Sequence, residues 1–261
     1  MAEVDIDRVI SEVDDRGYCI LPNVISPEEA DRARAALEPI LQKEITEEER
    51  QNCHQRVGAI AVKHPVFLDL MCHPLIVDIW KRYLGEDVVC STWTSNTIYP
   101  GHDKIGWHAD YPYWSITSPW PTGNLAGQTI WLLDDFTEEN GGTGVVPYSH
   151  KKGHLPEEPR NMWRDDGEIL TGGRGSVIVG HGAWWHTARP NCSDRPRSCL
   201  LGMYMRPCVI AQEDMRAQLD KLKAPSDLAK QLLCGNIHQP KIIGSEKLKR
   251  AGYCATLTIS T

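Results

Sequence analysis

The feature that most constrains the fold is a change in the residue pattern after Gly85. From residue 88 to residue 206, short runs of β-branched and aromatic residues alternate with Gly, Pro, Asn and Asp. Such runs at close spacing are typical of strands in an all-β sandwich or barrel. The predicted strands are 88–98, 106–110, 128–133, 144–146, 176–179, 184–188 and 200–206. The sequence therefore predicts a mainly β fold with flanking α-helices.

Helical signals lie on either side of this β region. Ser26 is a capping residue, Pro27 suits the first helical position, and Glu29 completes a capping box, which together predict a helix from residue 27 to residue 44. Weaker patterns predict helices at 6–13, 65–71 and 74–84, a strand at 18–21, and helical structure at 212–233.

The chain is interpreted as a single domain, because its 261 residues show no repeat, low-complexity tract or linker. We expect a helical N-terminal part at about 1–85, a β core at about 86–207 and a helical C-terminal tail at about 208–261. Two long connections, 111–127 and 148–173, interrupt the β core. Loops of that length are typical of lids or binding segments.

Charge and cysteine usage narrow the classes of partner. With 28 Lys+Arg against 35 Asp+Glu, the net charge is −7, and no basic run exists, which argues against a nucleic-acid partner. No stretch of about 18 apolar residues predicts a membrane span. The nine cysteines form no C-x-x-C pair and the first residues carry no secretion signal. We therefore expect reduced thiols and a cytoplasmic protein; oligomeric state cannot be read from the sequence.

The aromatic composition is unusual, with nine Trp and eight Tyr but only two Phe. Trp and Tyr differ from Phe in carrying a polar group, so an aromatic-lined, hydrated cavity is one interpretation. Packing in the core is the expectation for most of these rings.

The sharpest chemical motif is His108-Ala109-Asp110. On a strand, residues two apart project from the same face, so the His108 imidazole and the Asp110 carboxylate can reach one point. An isolated triplet of this kind is usually a solvated surface pair. A second histidine, His186, changes the interpretation if strand pairing brings it beside His108. Two imidazoles and one carboxylate then form the facial triad of non-haem Fe(II) oxygenases, with open positions for a co-substrate and O2.

A chelating 2-oxo acid at such a metal needs a fixed cation for its distal carboxylate. Arginine suits this role because its planar guanidinium binds a carboxylate through two hydrogen bonds. Arg197, near the predicted strand 200–206, is the first candidate, with Arg195 and Arg189 as rivals.

These motifs resemble the phytanoyl-CoA dioxygenase family of Fe(II)/2-oxoglutarate-dependent oxygenases. His108 and Asp110 match the family's H-x-D, His186 its distal His, and Arg197 the end of its H-x(10)-R. The segments around Asn140-Gly141-Gly142 and Pro147-Tyr148-Ser149-His150 also resemble the family, although Tyr148 stands where the family commonly has Gly. The resemblance covers most of residues 15–207.

The resemblance implies a double-stranded β-helix, a cupin-like jelly roll, flanked by helices. It also implies Fe(II) held by His108, Asp110 and His186, 2-oxoglutarate and O2 as co-substrates, and a 2-oxoglutarate carboxylate held by Arg197. The family usually adds a hydroxyl or amide from a neighbouring strand. The nearest matches in this sequence are Thr129, Gln128 and Asn96.

Substrate residues are expected on the connection that follows Asp110, since binding groups concentrate on loops. The candidates are Tyr111, Tyr113, Trp114 and Trp120. Each could instead pack beneath the loop. The net negative charge argues mildly against a coenzyme A thioester, so the expected substrate is a small polar or cyclic metabolite.

The expected reaction is oxidation of a substrate C–H bond, hydroxylation by default, with release of succinate and CO2. Two alternatives remain at this point. One is a 2-oxoglutarate-independent, cupin-like metalloenzyme, which has no need of Arg197. The other is a non-catalytic jelly-roll binding module.

Overall fold

The computed structural model of the protein describes residues 4–237. The helices are α1 Ile6–Arg16, α2 Pro27–Glu44, α3 Glu47–Asn52, α4 Pro65–Met71, α5 Pro74–Leu84, α6 Met215–Leu219 and α7 Asp227–Leu232. The strands are β1 Tyr18–Leu21, β2 His54–Val57, β3 Val89–Ile98, β4 Ala126–Leu132, β5 Thr143–Val146, β6 Glu168–Leu170, β7 Val177–His181, β8 Trp185–Thr187 and β9 Arg197–Met205.

The strands form two antiparallel sheets, a larger one in the order β1-β7-β4-β9-β3-β2 and a smaller one in the order β6-β5-β8. Residues 106–110, predicted as a strand, make a single bridge instead, in which His108 pairs with His186 at the edge of the smaller sheet. Antiparallel sheets with flanking helices confirm the predicted fold class.

The larger sheet has two differently used faces because successive residues of a strand point to opposite sides. One face packs on the N-terminal helices; it carries Trp131 and Val179, which share the main core with Trp80 of α5. The other face turns toward the smaller sheet and forms a second core that includes Ile130, Leu132 and, from the smaller sheet, Val145. We call the space between the two sheets the interior.

The part of segment 148–173 that includes His154, Trp163 and Arg164 covers the outer face of the smaller sheet, whereas Leu170, in β6, belongs to the second core. Trp163 packs on Trp107 with ring centroids 5.4 Å apart, and His154 lies 5.4 Å from the ring of Trp185. Arg164 lies over the same Trp185 ring. This part of the connection therefore acts as a cover for the smaller sheet.

The N-terminal part contributes two strands to the larger sheet as well as the helices. The capping box of α2 is present, with Ser26 accepting from the backbone of Glu29, and α2 spans the predicted residues. The strands β2 and β6 and helix α3 were not predicted from the sequence. Tyr148 adopts φ +62°, a left-handed conformation that favours glycine.

The division into an N-terminal part, a core and a tail stays a prediction, and residues 238–261 of the tail lie outside the described residues. Within 4–237 the eight cysteines are unbonded. No helix in that range is long and apolar enough to cross a bilayer.

Candidate metal centre

Backbone pairing brings the two histidines of the predicted triad together. His108 donates its N–H to the His186 carbonyl at 3.1 Å and accepts the His186 N–H at 2.9 Å. Directly paired residues project from the same face, so the rings meet with centroids 4.3 Å apart. The same face of β5 carries Val145, opposite His186, in the second core. The two imidazoles therefore point into the interior.

Asp110 completes the group. Its carboxylate lies 3.7 Å from His108 Nε2 and 3.5 Å from His186 Nε2. The ligand atoms of these three residues lie within 4.8 Å of one another, which is a spacing that one metal ion can bridge. We call His108, Asp110 and His186 the triad.

The other ring nitrogen of each histidine faces a backbone carbonyl two residues earlier. His108 Nδ1 lies 2.7 Å from the Gly106 oxygen, and His186 Nδ1 lies 3.3 Å from the Trp184 oxygen. A proton on Nδ1 then donates to the carbonyl, and Nε2 keeps a free lone pair for a metal. Burial lowers the pKa of His186 to about 4, which keeps the ring neutral at physiological pH.

The triad fits a divalent cation. Asp110 Oδ2 is buried and accepts no hydrogen bond within residues 4–237. A carboxylate oxygen in that state is costly unless a cation satisfies it. Two nitrogen donors and one carboxylate on one face match the donor set that non-haem Fe(II) prefers.

Arg197 begins β9 and is 2% exposed. Its guanidinium lies 4.1 Å from the centroid of the Phe136 ring, and it donates to the Gly141 carbonyl. Arg197 makes no ion pair among the described residues, and its Nε is buried without a partner. A buried guanidinium with donors to spare is a site for an anion.

The rival arginines lie elsewhere. Arg189 stacks over the exposed Trp163 on the outer face of the smaller sheet, with its guanidinium 5.0 Å from that ring. Arg195 is exposed beside Asp194. Neither shares the interior position of Arg197.

The three residues predicted to assist Arg197 in binding 2-oxoglutarate do not all lie on the same face of the larger sheet. Asn96 lies on the interior face of β3, directly opposite Cys199 of β9. Gln128 also faces the interior, where its amide oxygen accepts from the Trp184 indole at 2.9 Å. The prediction that Thr129 contacts 2-oxoglutarate is corrected by its position. Thr129 occupies the opposite face of β4, and its hydroxyl accepts from the Trp80 indole at 2.8 Å. Adjacent residues of a strand cannot face the same side, and Thr129 is turned toward α5.

The four predicted substrate residues lie in two different places. Tyr111 and Trp114 lie together, with ring centroids 5.9 Å apart, and Trp114 is 54% exposed. Tyr113 and Trp120 are buried against each other at 5.3 Å. These two rings line a cavity of about 350 Å³ whose wall includes no member of the triad. The structure therefore does not bring Tyr113 and Trp120 to the triad.

One cation that was not predicted from the sequence, Arg56, is exposed on the edge strand of the larger sheet. In β2 it lies opposite Asn96 and therefore on the interior face. Burial is the largest cause of the lowered pKa of His186, His108 lowers it further, and Arg56 makes the smallest contribution in the same direction. The signal was weak because β2 has four residues and follows a helix directly, so no alternation is visible.

Comparisons with known proteins agree with this geometry. A profile of the family described as phytanoyl-CoA dioxygenase (PhyH) matches residues 13–199. Among the relatives is "Dioxygenase af480" from Aspergillus fumigatus, 26% identical over 84% of this chain and 72% of that protein. An ectoine dioxygenase from Nocardia farcinica is 29% identical over 54% of this chain, and the match spans half of that protein.

Two solved structures share the fold. HygX from Streptomyces hygroscopicus, with nickel and 2-oxoglutarate bound, superposes with a TM-score of 0.65 at 15% identity, over 79% of this chain and 89% of that one. The epimerase SnoN, in complex with Fe3+, alpha ketoglutarate and nogalamycin RO, superposes with a TM-score of 0.63 at 19% identity, over 85% and 91%. The family profile covers well over half of the chain, and so this protein belongs to the phytanoyl-CoA dioxygenase family of Fe(II)/2-oxoglutarate-dependent oxidoreductases.

Proposed function

We propose that the protein hydroxylates a C–H bond of a small metabolite or natural-product intermediate, with Fe(II) held by His108, Asp110 and His186. The observation that carries this proposal is the convergence of three donor atoms on one point, with a buried carboxylate oxygen that lacks a partner. Both imidazoles are held with Nε2 free by hydrogen bonds from Nδ1 to backbone carbonyls. Little rearrangement is needed to bind the ion.

Arg197 is the proposed anchor for the distal carboxylate of 2-oxoglutarate. Its guanidinium is fixed on one side by the Phe136 ring and at one nitrogen by the Gly141 carbonyl, which leaves other N–H groups for the co-substrate. Arg56, which is exposed, adds a second positive charge on the same face of the sheet, and Asn96 beside it has its amide oxygen paired with His54 Nε2 and its amide N–H groups available. This arrangement favours a dianion over a neutral ligand.

When bound, Fe(II) and 2-oxoglutarate together supply O2 activation, with decarboxylation to succinate and CO2 and oxidation of a nearby C–H bond. The protein contributes coordination geometry, substrate position and the exclusion of water. Trp184 fills the interior beside His186, its ring 5.0 Å from the imidazole, and so blocks that side. His108 is the most exposed member of the triad, with 47% of its side chain accessible.

The substrate is therefore proposed to approach from the side of His108. Tyr111 and Trp114 follow Asp110 directly and offer two neighbouring rings, one of them solvent-exposed. Such a surface suits a cyclic or partly apolar small molecule. The names of relatives, such as the ectoine dioxygenase of Nocardia farcinica, also indicate small-molecule substrates within the family.

The test is anaerobic addition of Fe(II) and 2-oxoglutarate to the metal-free protein. A weak visible charge-transfer band is expected, and candidate metabolites are then screened for a shift of that band. Addition of O2 to a positive candidate should yield succinate and a product with one added oxygen atom, in equal amounts. Arg197→Ala is the matched control, expected to bind the metal without forming the band at the same 2-oxoglutarate concentration. Iron binding without a band in the natural sequence would contradict the proposal.

A further inference from the structure

A line of oxidisable rings leads from the triad to the surface of the protein. The indole of Trp184 is stacked on the His186 imidazole, with centroids 5.0 Å apart and planes inclined by 29°. The Trp184 ring in turn lies 6.1 Å from the ring of Tyr18 in β1. All three rings belong to the interior, and Trp184 is fully buried.

The outer end of this line carries a proton acceptor. The Tyr18 hydroxyl donates to Glu168 Oε2 at 2.8 Å, and the Glu168 side chain is 46% exposed. Arg16 pairs with the same carboxylate, and its guanidinium lies 4.9 Å from the centroid of the Tyr18 ring. Burial and the bond to Glu168 raise the pKa of Tyr18, so the phenol stays protonated and keeps donating.

We propose that Trp184 and Tyr18 form an electron-transfer path that discharges the oxidising equivalents left at the metal when no substrate C–H bond is within reach. The inference rests on the proposed function, because that reaction generates the oxidant. Trp and Tyr can each lose one electron to a strong oxidant, whereas Phe resists oxidation. Ring contact at these distances allows electron transfer from the surface without entry of a reductant into the site.

Two electrons and two protons are needed to convert the oxygen atom that remains after decarboxylation to water. Decarboxylation of 2-oxoglutarate supplies two of the four electrons that reduction of O2 requires. Trp184 donates one electron to the metal. Tyr18 then reduces the oxidised Trp184 and passes its hydroxyl proton to Glu168. A surface reductant of the ascorbate class reduces the Tyr18 radical, and Glu168 returns the proton. A second passage delivers the other electron, and two protons from solvent convert the remaining oxygen atom to water.

The positions of Trp184 and Tyr18 distinguish them from the other aromatic residues. Trp80 and Trp131 belong to the helix-side core, and Trp107 and Trp163 to the outer face of the smaller sheet. Among the described residues, Trp184 is the indole that stacks on a triad member and also contacts a tyrosine that reaches a carboxylate. At these two positions, the presence of Trp and Tyr in place of Phe is thus explained by their ability to be oxidised.

The test is turnover of the Fe(II)-loaded protein with 2-oxoglutarate and O2 but without substrate. Three quantities are measured: the tyrosyl radical signal by electron paramagnetic resonance after rapid freezing, the oxidised residues by peptide mass spectrometry, and the activity lost per 2-oxoglutarate decarboxylated. Tyr18→Phe should abolish the radical signal and increase severalfold both oxidation around the triad, including Trp184, and inactivation per turnover. Trp184→Phe should also abolish the signal.

Tyr83→Phe is the matched control, because the Tyr83 hydroxyl also donates to a carboxylate, Asp14, at 2.8 Å but lies off the path. It should leave the radical and the damage pattern unchanged. A radical that persists in Tyr18→Phe, or equal damage in Tyr18→Phe and Tyr83→Phe, would overturn the path. Absence of any 2-oxoglutarate decarboxylation in the natural sequence would instead contradict the proposed function.

Discussion

Among the described residues, the two closest pairs of imidazoles differ, and one of these two pairs has the features of a metal site. His108 and His186 lie 4.3 Å apart in the interior, and His150 and His181 lie 4.8 Å apart on the helix side of the larger sheet. In the first pair each Nε2 faces the Asp110 carboxylate. The second pair belongs to no group of three or more His, Cys, Asp or Glu side chains spaced to hold a metal ion, among the described residues.

The partners of the ring nitrogens explain the difference. His181 uses both nitrogens within the protein, since Nε2 lies 3.0 Å from the Asn124 amide oxygen and Nδ1 accepts from the Ala183 N–H. His150 Nε2 bonds the Asp14 carbonyl, and its Nδ1 is buried without a partner, so this pair offers one free ring nitrogen and the first pair offers two. Ring proximity alone therefore does not make a site; free donor atoms that converge on one point do.

The largest expected effect is on metal binding. Asp110→Asn keeps the shape of the side chain but removes the charge, and we expect metal affinity to fall by about 100-fold or more, beyond the loss typical of changes outside the ligand set. The measurement is Co(II) titration by absorption spectroscopy. His181→Gln, in the second pair, should leave the Co(II) affinity unchanged. Equal losses in both variants would show that the two pairs do not differ in the way described.

The next largest effect is expected on the concentration of 2-oxoglutarate that activity requires. Truncation of one partner in a buried charge pair costs about 2–5 kcal/mol, so Arg197→Ala should raise the 2-oxoglutarate requirement by about 100-fold. Steady-state kinetics measured by succinate release gives the value. Arg189→Ala removes a guanidinium that stacks on Trp163 outside the interior and should have little effect. Unchanged 2-oxoglutarate dependence in Arg197→Ala would favour a 2-oxoglutarate-independent metalloenzyme.

The third effect is on acid stability, where the second pair should matter. Burial lowers the pKa of His181 to about 3, with the neighbouring His150 as a further cause. The folded protein then binds fewer protons than the unfolded chain between about pH 3 and the unfolded pKa of about 6.5. Stability from His181 is present above that unfolded value and is lost as the pH falls toward 3.

This loss amounts to about 2 kcal/mol between pH 6.5 and pH 5, because one pH unit corresponds to about 1.4 kcal/mol for one proton. Urea unfolding of the metal-free protein at pH 5 and pH 7.5 measures it. In His181→Gln the difference between the two pH values should shrink by this amount. Asp14 and Lys151 also line the cavity beside the pair and remain in both proteins. The same pH dependence in both would contradict the assignment to His181.

The smallest effect separates the two faces of β4. Thr129→Val leaves the Trp80 indole N–H without its partner, which should cost about 1 kcal/mol of unfolding free energy. The 2-oxoglutarate and metal affinities should not change, since Thr129 faces α5. Thermal unfolding and Co(II) titration together check this. A weakened 2-oxoglutarate affinity would restore Thr129 as a co-substrate residue.

Much of the fold could be predicted because its signals are local. Ser26, Pro27 and Glu29 determine the start of α2 through a capping box, and the helix ends at the predicted residue. His108 and Asp110 share a face because they are two residues apart. The pairing of His108 with His186 depends on contact across 78 residues of sequence, and the resemblance to a family supplied it.

The remaining features depend on tertiary context. Gln128 and Thr129 are equivalent candidates by type, and only the packing of β4 between α5 and the interior separates them. Arg56 lies on a four-residue edge strand whose face is defined by its pairing with β3. The segment 148–173 reads as a loop, but its Trp163 and His154 pack on tryptophans of the smaller sheet. No local pattern indicates such contacts.

The most direct test of the central claim is an anaerobic crystal structure of the protein with Fe(II) and 2-oxoglutarate, with anomalous data at the iron edge. We expect one strong anomalous peak bonded to His108 Nε2, His186 Nε2 and an Asp110 oxygen. We also expect the distal carboxylate of 2-oxoglutarate on the Arg197 guanidinium. An iron peak away from these three residues, or a 2-oxoglutarate molecule bound without contact to Arg197, would contradict it.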